Sequence, residues 1–462
     1  MKLEKIQSQS EFYCSLFEQL GSTTKRNEKE QILSQVLNLP EEDLNDFKTL
    51  LVLTLDPRIN FYMKDLPEGD GDKVEIEDTF KSVFDLFVTL SNRVVTGATA
   101  KELVNRYLSS VPKPTKEVMK LIFGRDLRCG VGAATINKVF GESLVYVHPY
   151  MRCSLLNNKS LKDVKFPCLS QTKLDGMYVD IVVQRDSVTY MSRQGNILPF
   201  NSDRDQFLKV YAQGYVLQGE ALVLNEERNG WLPREDNNGY LNSDEIDNSR
   251  IVFVVWDIIH SSDYMATKSS VPYRNRLSML EGIVHRISEQ SPQFTLLVDT
   301  RECNTLEEVI DHFKENRSIG MEGTIVKNQD LIWKSGTSKH QLKLKVSAVG
   351  DLKIVGYKMG EGKWSEHVGS LLCQSSCGNV EVSVNCKTDA FRNKATKNID
   401  KWIEEGAVVA VVYNDIITNE LKPELYSLYL PRMESDDIRS DKKEADDLSR
   451  LQEILDSFEF QV

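Results

Sequence analysis

Apolar positions recur every three or four residues in the first third of the chain and alternate in short runs after about residue 149. Ile32, Val36 and Leu39, then Phe80, Phe84, Phe87 and Val88, follow the helical period. Pro112 and Pro114 separate helices, and the Gly- and Asp-rich stretch 66–72 reads as a mobile connection. Arg128-Cys129-Gly130-Val131-Gly132 interrupts one helical pattern before Thr135 restarts another. Strand-like runs follow at 179–183, 215–224, 251–259 and 324–327, with helical patterns at 273–287 and 306–316. This predicts an α+β domain with a substantial antiparallel sheet. From Asp351, short strands at 352–356, 369–373, 380–385, 408–412 and 425–430 predict a small barrel, and 446–458 an amphipathic helix. The expected organisation is a multidomain chain: helical over 1–148, α+β over 149–348 and a β-barrel over 349–462.

Composition adds limits. The 462 residues suit several soluble domains, and no apolar run is long enough for a membrane span. The first twelve residues have no apolar core, so no secretory leader is expected. The eight cysteines form no Cys-x-x-Cys pair and read as reduced thiols of a cytoplasmic protein. A net charge of −12 argues weakly against nucleic acid. Residues 101–150 go the other way, with eight bases against four acids. Gly130 and Gly132 before a helix could bring backbone amides to a phosphate, although a plain helix–helix turn has the same composition.

The chemistry gathers around Lys173-Leu174-Asp175-Gly176, a strand-to-turn sequence that would present one amine at a sheet mouth. An amine attacks only when deprotonated, so its site must favour the neutral form. Ser192-Arg193-Gln194-Gly195-Asn196 offers a cation after a strand. Gly219-Glu220 puts a carboxylate inside an apolar strand. Trp256-Asp257 offers an aromatic for a base or for the core. Glu322-Gly323 adds a second carboxylate, followed by Lys327. Lys343 and Lys345 share one strand face and would need an anion or solvent between them, and the two cations would help keep Lys173 neutral. Each feature alone reads as ordinary surface or core. Together they offer a nucleophile, oxygen ligands for Mg²⁺, cations for phosphates and a base platform.

In order and spacing the set resembles the ATP-dependent DNA ligases of the lysine nucleotidyltransferase superfamily, those of T-even bacteriophages in particular. The motifs are KLDG at 173–176, SRQGN at 192–196, QGE at 218–220, VVWD at 254–257, EGTIVK at 322–327 and KLK at 343–345. Tyr273, Arg276 and Leu280 fit a further helix motif, and 351–356, 430–432 and 439–442 fit the C-terminal ones. The resemblance implies a DNA-binding helical domain, an adenylation domain and an OB-fold. It implies sealing of nicked duplex DNA through lysyl-AMP and DNA-adenylate, in replication, repair and recombination, by a monomer clamping DNA, in the host cytoplasm if viral. Lys173 is the implied nucleophile. Gln171, Thr172, Tyr178, Arg193, Glu220, Trp256, Lys343, Lys345, Arg439 and Lys442 are the implied ATP contacts, and Glu220 and Glu322 the Mg²⁺ ligands. Arg125, Arg128, Gly130, Gly132 and Lys138 are the implied DNA contacts. Tyr178 stands where the family usually has Arg, and Gln218 where it often has Asp. The alternatives are an RNA ligase, an mRNA-capping guanylyltransferase or an inactive nick-binding protein. NAD-dependent ligases are disfavoured because their zinc-binding cysteine array is missing.

Overall fold

The computed structural model describes every residue except 1, 64, 74–78, 203, 244–245, 293, 419–421, 423 and 458–462, and leaves out the side chains of 2–6, 79–82, 234–235 and 363. Expectations for the Phe80 side chain and for Phe458 lie outside the described residues. The chain divides into two compact units, residues 1–149 with 178–205 and residues 150–177 with 206–462.

The first unit holds seven α-helices among its described residues between 2 and 140. Helix Lys113–Phe123 starts behind Pro112 and buries Thr115, Val118, Met119 and Ile122, a stripe of i, i+3, i+4 and i+7. Helix Thr79–Ser91 buries Val83, Leu86, Phe87 and Leu90. Val88 lies about 140° round from that stripe and is exposed, contrary to its assignment to the apolar face. The 66–72 stretch is tied down, not mobile. Asn105 Oδ1 accepts from the Gly69 amide at 2.9 Å, and Lys116 Nζ donates to the Glu68 carbonyl at 2.8 Å. The unit also contains the hairpin of 178–183 and Val188–Met191, with Asp180 opposite Met191. Asp180 is buried, and its carboxylate meets His148 Nε2 at 2.6 Å and accepts from the Tyr178 hydroxyl at 2.8 Å. Gly195 packs on His148 with φ +90°, so a Cβ there would strike the imidazole.

The second unit is built on three main sheets. One runs in the order Met151–Leu155, Gly336–Lys345, Gly323–Asn328, Cys168–Lys173, Thr300–Cys303. Its two faces differ. Val326, Leu342 and Leu344 point to one side and pack with Val309 and Phe313 of helix Leu306–Ser318. The alternate positions, Gln171, Lys173, Lys327, Lys343 and Lys345, share the other side. A second sheet contains Tyr215–Val223, Ile251–His260 and Thr295–Leu297. A third is antiparallel, ordered Glu381–Asn385, Val368–Gln374, Ala348–Met359, Val408–Tyr413, Arg432–Met433.

Helix Asp389–Glu404 against the third sheet was not expected from sequence. It buries Phe391, Ala395, Ile399 and Trp402, and the large ones contribute about 1.5–3 kcal/mol each. The C-terminal helix Leu448–Asp456 is clasped through Leu451, whose carbonyl accepts from the Tyr413 hydroxyl at 2.6 Å. A side chain on Gly350 would collide with Leu451.

Candidate active site

Strand register assembles the lysine pocket. Lys173 lies opposite Gly323, and Gly323 lies opposite Lys345 on the far side. The two lysines are thus two strand spacings apart, about 9–10 Å, on one face. Gly323 has φ +150°, and a Cβ there would run into the Leu344 carbonyl. Only glycine allows this row to close. Glu322 precedes it, and its carboxylate hydrogen-bonds Lys173 Nζ and lies 3.8 Å from Lys345 Nζ. Glu322 thus lies between Lys173 and Lys345, whereas the anion was expected between Lys343 and Lys345.

Glu220 approaches from the second sheet. The register shifts between Gln218 and Gly219, and a Cβ at Gly219 would come within 2.5 Å of the Val254 carbonyl. That bulge re-aims Glu220 so that its Oε2 accepts the Gly176 amide at 2.7 Å, next to the nucleophile turn. Burial pushes Glu220 up to about 7, against the pull of Lys173. Lys173 was expected to be held neutral, and the structure shows the reverse. Burial disfavours its charge, but Glu322, Glu220 and Asp175 together hold its pKa above the ordinary lysine value. Lys345 is pushed down, first by burial and then by Lys343 and Lys173, against Glu322.

Behind the pocket lies a polar layer. Tyr273 donates its hydroxyl proton to the Trp256 carbonyl at 2.5 Å and accepts from Gln171 Nε2 at 2.8 Å and Lys327 Nζ at 3.1 Å. Arg276 grips the buried Asp257 carboxylate at 2.7 and 3.0 Å. Lys327 is 2% exposed, and burial lowers it to about 8. Trp256 is half-buried beside Leu174 and Leu296. A half-buried amine, two converging carboxylates and flanking cations are equipped for attack on a phosphoanhydride.

The family described as ATP dependent DNA ligase domain matches residues 151–345. The matched segment is an ATP-dependent DNA ligase domain. It is 24% identical to the DNA ligase of Enterobacteria phage T4, over 90% of this chain and 93% of that one. It is 23% identical to the probable DNA ligase of Dictyoglomus thermophilum over 96% of each. A solved structure described as Pmar-Lig_Pre superposes with TM-score 0.71 at 20% identity, covering 93% of this chain and 99% of the other, and shares the fold.

The remaining expected residues of this chain fall into three groups. Gln171 lies on the lysine face, but its amide is taken by Tyr273 and Thr300. The Thr172 side chain is turned to the opposite face, where Asn316 Oδ1 accepts its proton at 2.9 Å. Tyr178 and Arg193 belong to the first compact unit. Gln218 replaces the family's Asp by packing: its Oε1 accepts the indole proton of the buried Trp333 at 2.9 Å.

Among the expected DNA contacts, Arg125 braces its own unit. Its guanidinium donates to the carbonyls of Thr54 and Asp56. Arg128 is exposed at φ +50°, Gly130 adopts φ +64° beside it, and Gly132 precedes helix Ala133–Phe140. Lys138 is exposed and paired with Glu30.

In the C-terminal segment Arg439 holds Asp351 at 2.9 Å and Asp441 at 2.7 Å, while Lys442 holds Asp351 at 2.7 Å and Asp446 at 2.9 Å. Asp351 was missed as a site residue. The signal was an acid directly ahead of an apolar strand run. Among the described residues no three His, Cys, Asp or Glu side chains form a metal cage. Two carboxylates with hard oxygen donors suit Mg²⁺, which takes few protein ligands alongside substrate phosphates.

Proposed function

We propose that this ligase seals 3′-hydroxyl/5′-phosphate nicks in duplex DNA with Lys173 as its nucleophile. The supporting observation is the row Lys173–Gly323–Lys345 with Glu322 and Glu220 converging on the amine. Lys173 first gives up a proton, for which Glu322 is the hydrogen-bonded acceptor. The neutral amine attacks the α-phosphorus of ATP, the N–P bond forms and pyrophosphate leaves. AMP passes to the 5′-phosphate of the nick. The 3′-hydroxyl then attacks that phosphate and AMP departs. Each step is an in-line displacement in which positioning and charge neutralisation dominate.

Glu220 and Glu322 would hold Mg²⁺, which would supply charge neutralisation on the phosphate oxygens. Drawing their charge towards a cation removes the influence that keeps Lys173 protonated. Lys343, Lys345 and Arg193 hold phosphates, Trp256 carries adenine, and Tyr178 stands at the ribose. Arg439 and Lys442 exchange Asp351 for pyrophosphate in the first step. Residues 1–148 grip the duplex through exposed groups such as Arg128 and Lys138, residues 149–348 carry adenylation and residues 349–462 form the OB-fold. The protein acts as a monomeric clamp in the cytoplasm. No helix among the described residues is long and apolar enough to cross a membrane.

Incubation with radiolabelled ATP and Mg²⁺ should leave an acid-labile label on the protein, and a nicked duplex should be sealed. A label obtained with GTP and not ATP would favour a capping enzyme instead. Sealing of nicked RNA in preference to DNA would favour an RNA ligase.

A further inference from the structure

We propose that the Tyr273 hydroxyl is the positioning group of the adenylation pocket, setting Trp256 against the Lys173 strand, with the buried Lys327 as its third support. This rests on the reading of Trp256 as the adenine platform. A phenol has one proton to give and two lone pairs. Here all three are used: the proton goes to the Trp256 carbonyl, and the lone pairs receive Gln171 Nε2 and Lys327 Nζ. Gln171 lies two residues before the nucleophile on the same face. Lys327 lies five residues beyond Glu322 on the adjoining strand. Trp256 belongs to the other sheet. One oxygen thus ties together the strands carrying the nucleophile, the carboxylate and the aromatic.

Lys327 is costly to keep at this place. Among the described residues no carboxylate lies within ion-pair distance of it, and its nearest acid by charge, Asp257, is held by Arg276. Its ammonium instead faces the rings of Tyr273, at 4.3 Å from the centroid, and Trp256, at 5.9 Å. A purely packed core would be better served by methionine there. The ammonium donates to Tyr273, which turns the phenol proton towards Trp256.

The test measures self-adenylation against ATP concentration, with melting temperatures, for Trp256→Ala, Tyr273→Phe, Lys327→Met and the double variant of the last two. Tyr273→Phe keeps the ring and loses only the hydroxyl. The expected result is a KM for ATP raised about tenfold with a smaller change in the saturated rate, and weaker discrimination of ATP from GTP. Lys327→Met should shift KM the same way, and the double variant should be no worse than the more affected single one, because both act through one oxygen. A Tyr273→Phe protein that melts lower but keeps the parental KM, while Trp256→Ala raises it, overturns the proposal alone. Parental KM in Trp256→Ala overturns the platform reading and the proposal with it.

Discussion

The lysine pocket and the 439–446 segment each set carboxylates among cations, yet their acids move in opposite directions. Burial drives Glu220 up to about 7 despite Lys173 beside it. Asp441, open to water and hydrogen-bonded by Arg439, falls to about 2. At Glu220 desolvation outweighs the neighbouring Lys173 charge, and the carboxyl stays near its proton exchange point. Where water remains, the hydrogen bonds win and the group is a fixed anion. The pocket is therefore adjustable by a bound cation, while the segment acts as a set of exchangeable ion pairs of low individual strength.

The largest expected effect falls on the pocket. Lys173→Ala should give no labelled adduct with ATP, yet still seal a nick already carrying 5′-adenylate, at reduced rate. Normal ATP-dependent sealing by this variant would refute the nucleophile assignment.

Next is a matched pair. Glu220→Gln should lower self-adenylation by about 100-fold or more, as loss of a buried electrostatic group does. Asp441→Asn should stay within about tenfold. Equal losses, read from single-turnover rates, would erase the distinction drawn above.

Removing residues 1–143 leaves Tyr146 and His148 in place and should weaken nicked-duplex binding by about tenfold or more. It should also flatten the dependence of affinity on salt, since phosphate contacts are lost. An unchanged salt slope in a filter-binding titration would show that the helices do not grip DNA.

The pH dependence follows from Glu220. Its proton is held more tightly in the fold than in the unfolded chain, where the value is 4.5. Its stabilising contribution is complete below about pH 4.5 and is lost as pH rises through about 7. Glu220→Gln remains neutral, so its melting temperature relative to the parent should rise between about pH 5 and 8. Parallel melting curves across that range would count against a buried, raised carboxyl.

The smallest effect belongs to Tyr178→Phe, which loses one hydrogen bond to Asp180 and should cost less than about tenfold in adenylation rate. Tyr178→Arg would place a cation beside the Asp180 carboxylate, and adenylation at least equal to the parent is expected. A much lower melting temperature for this variant would mark the residue as structural.

The chemistry-bearing residues were legible because each motif is short and local: Lys173, Glu220, Glu322 and Lys345 all stand in the pocket. Their arrangement was not. That Lys173, Gly323 and Lys345 form one row is a matter of strand register, which no local pattern specifies. The protonated state of Lys173 likewise depends on Glu322, 149 residues away. Asp351 gained its role only by meeting Arg439 and Lys442 across the fold. Helix Asp389–Glu404 was overlooked although its apolar spacing is regular, because strand signals on both sides drew it into the barrel reading. The 66–72 stretch had the composition of a free loop, and the side chains that fasten it, Asn105 and Lys116, come from distant helices.

Lys327 has one more consequence, for chemical labelling. Compared with Lys173 its amine sheds its proton more easily, at about 8, while Lys173 is held above the normal value. On basicity alone an acylating reagent near neutral pH would choose Lys327. Access reverses the order, because Lys327 is 2% exposed and the Lys173 side chain 20%. Amine-directed footprinting should thus mark Lys173 and spare Lys327 in the folded protein, and the difference should vanish as the chain is unfolded, because burial and the neighbouring carboxylates are lost together.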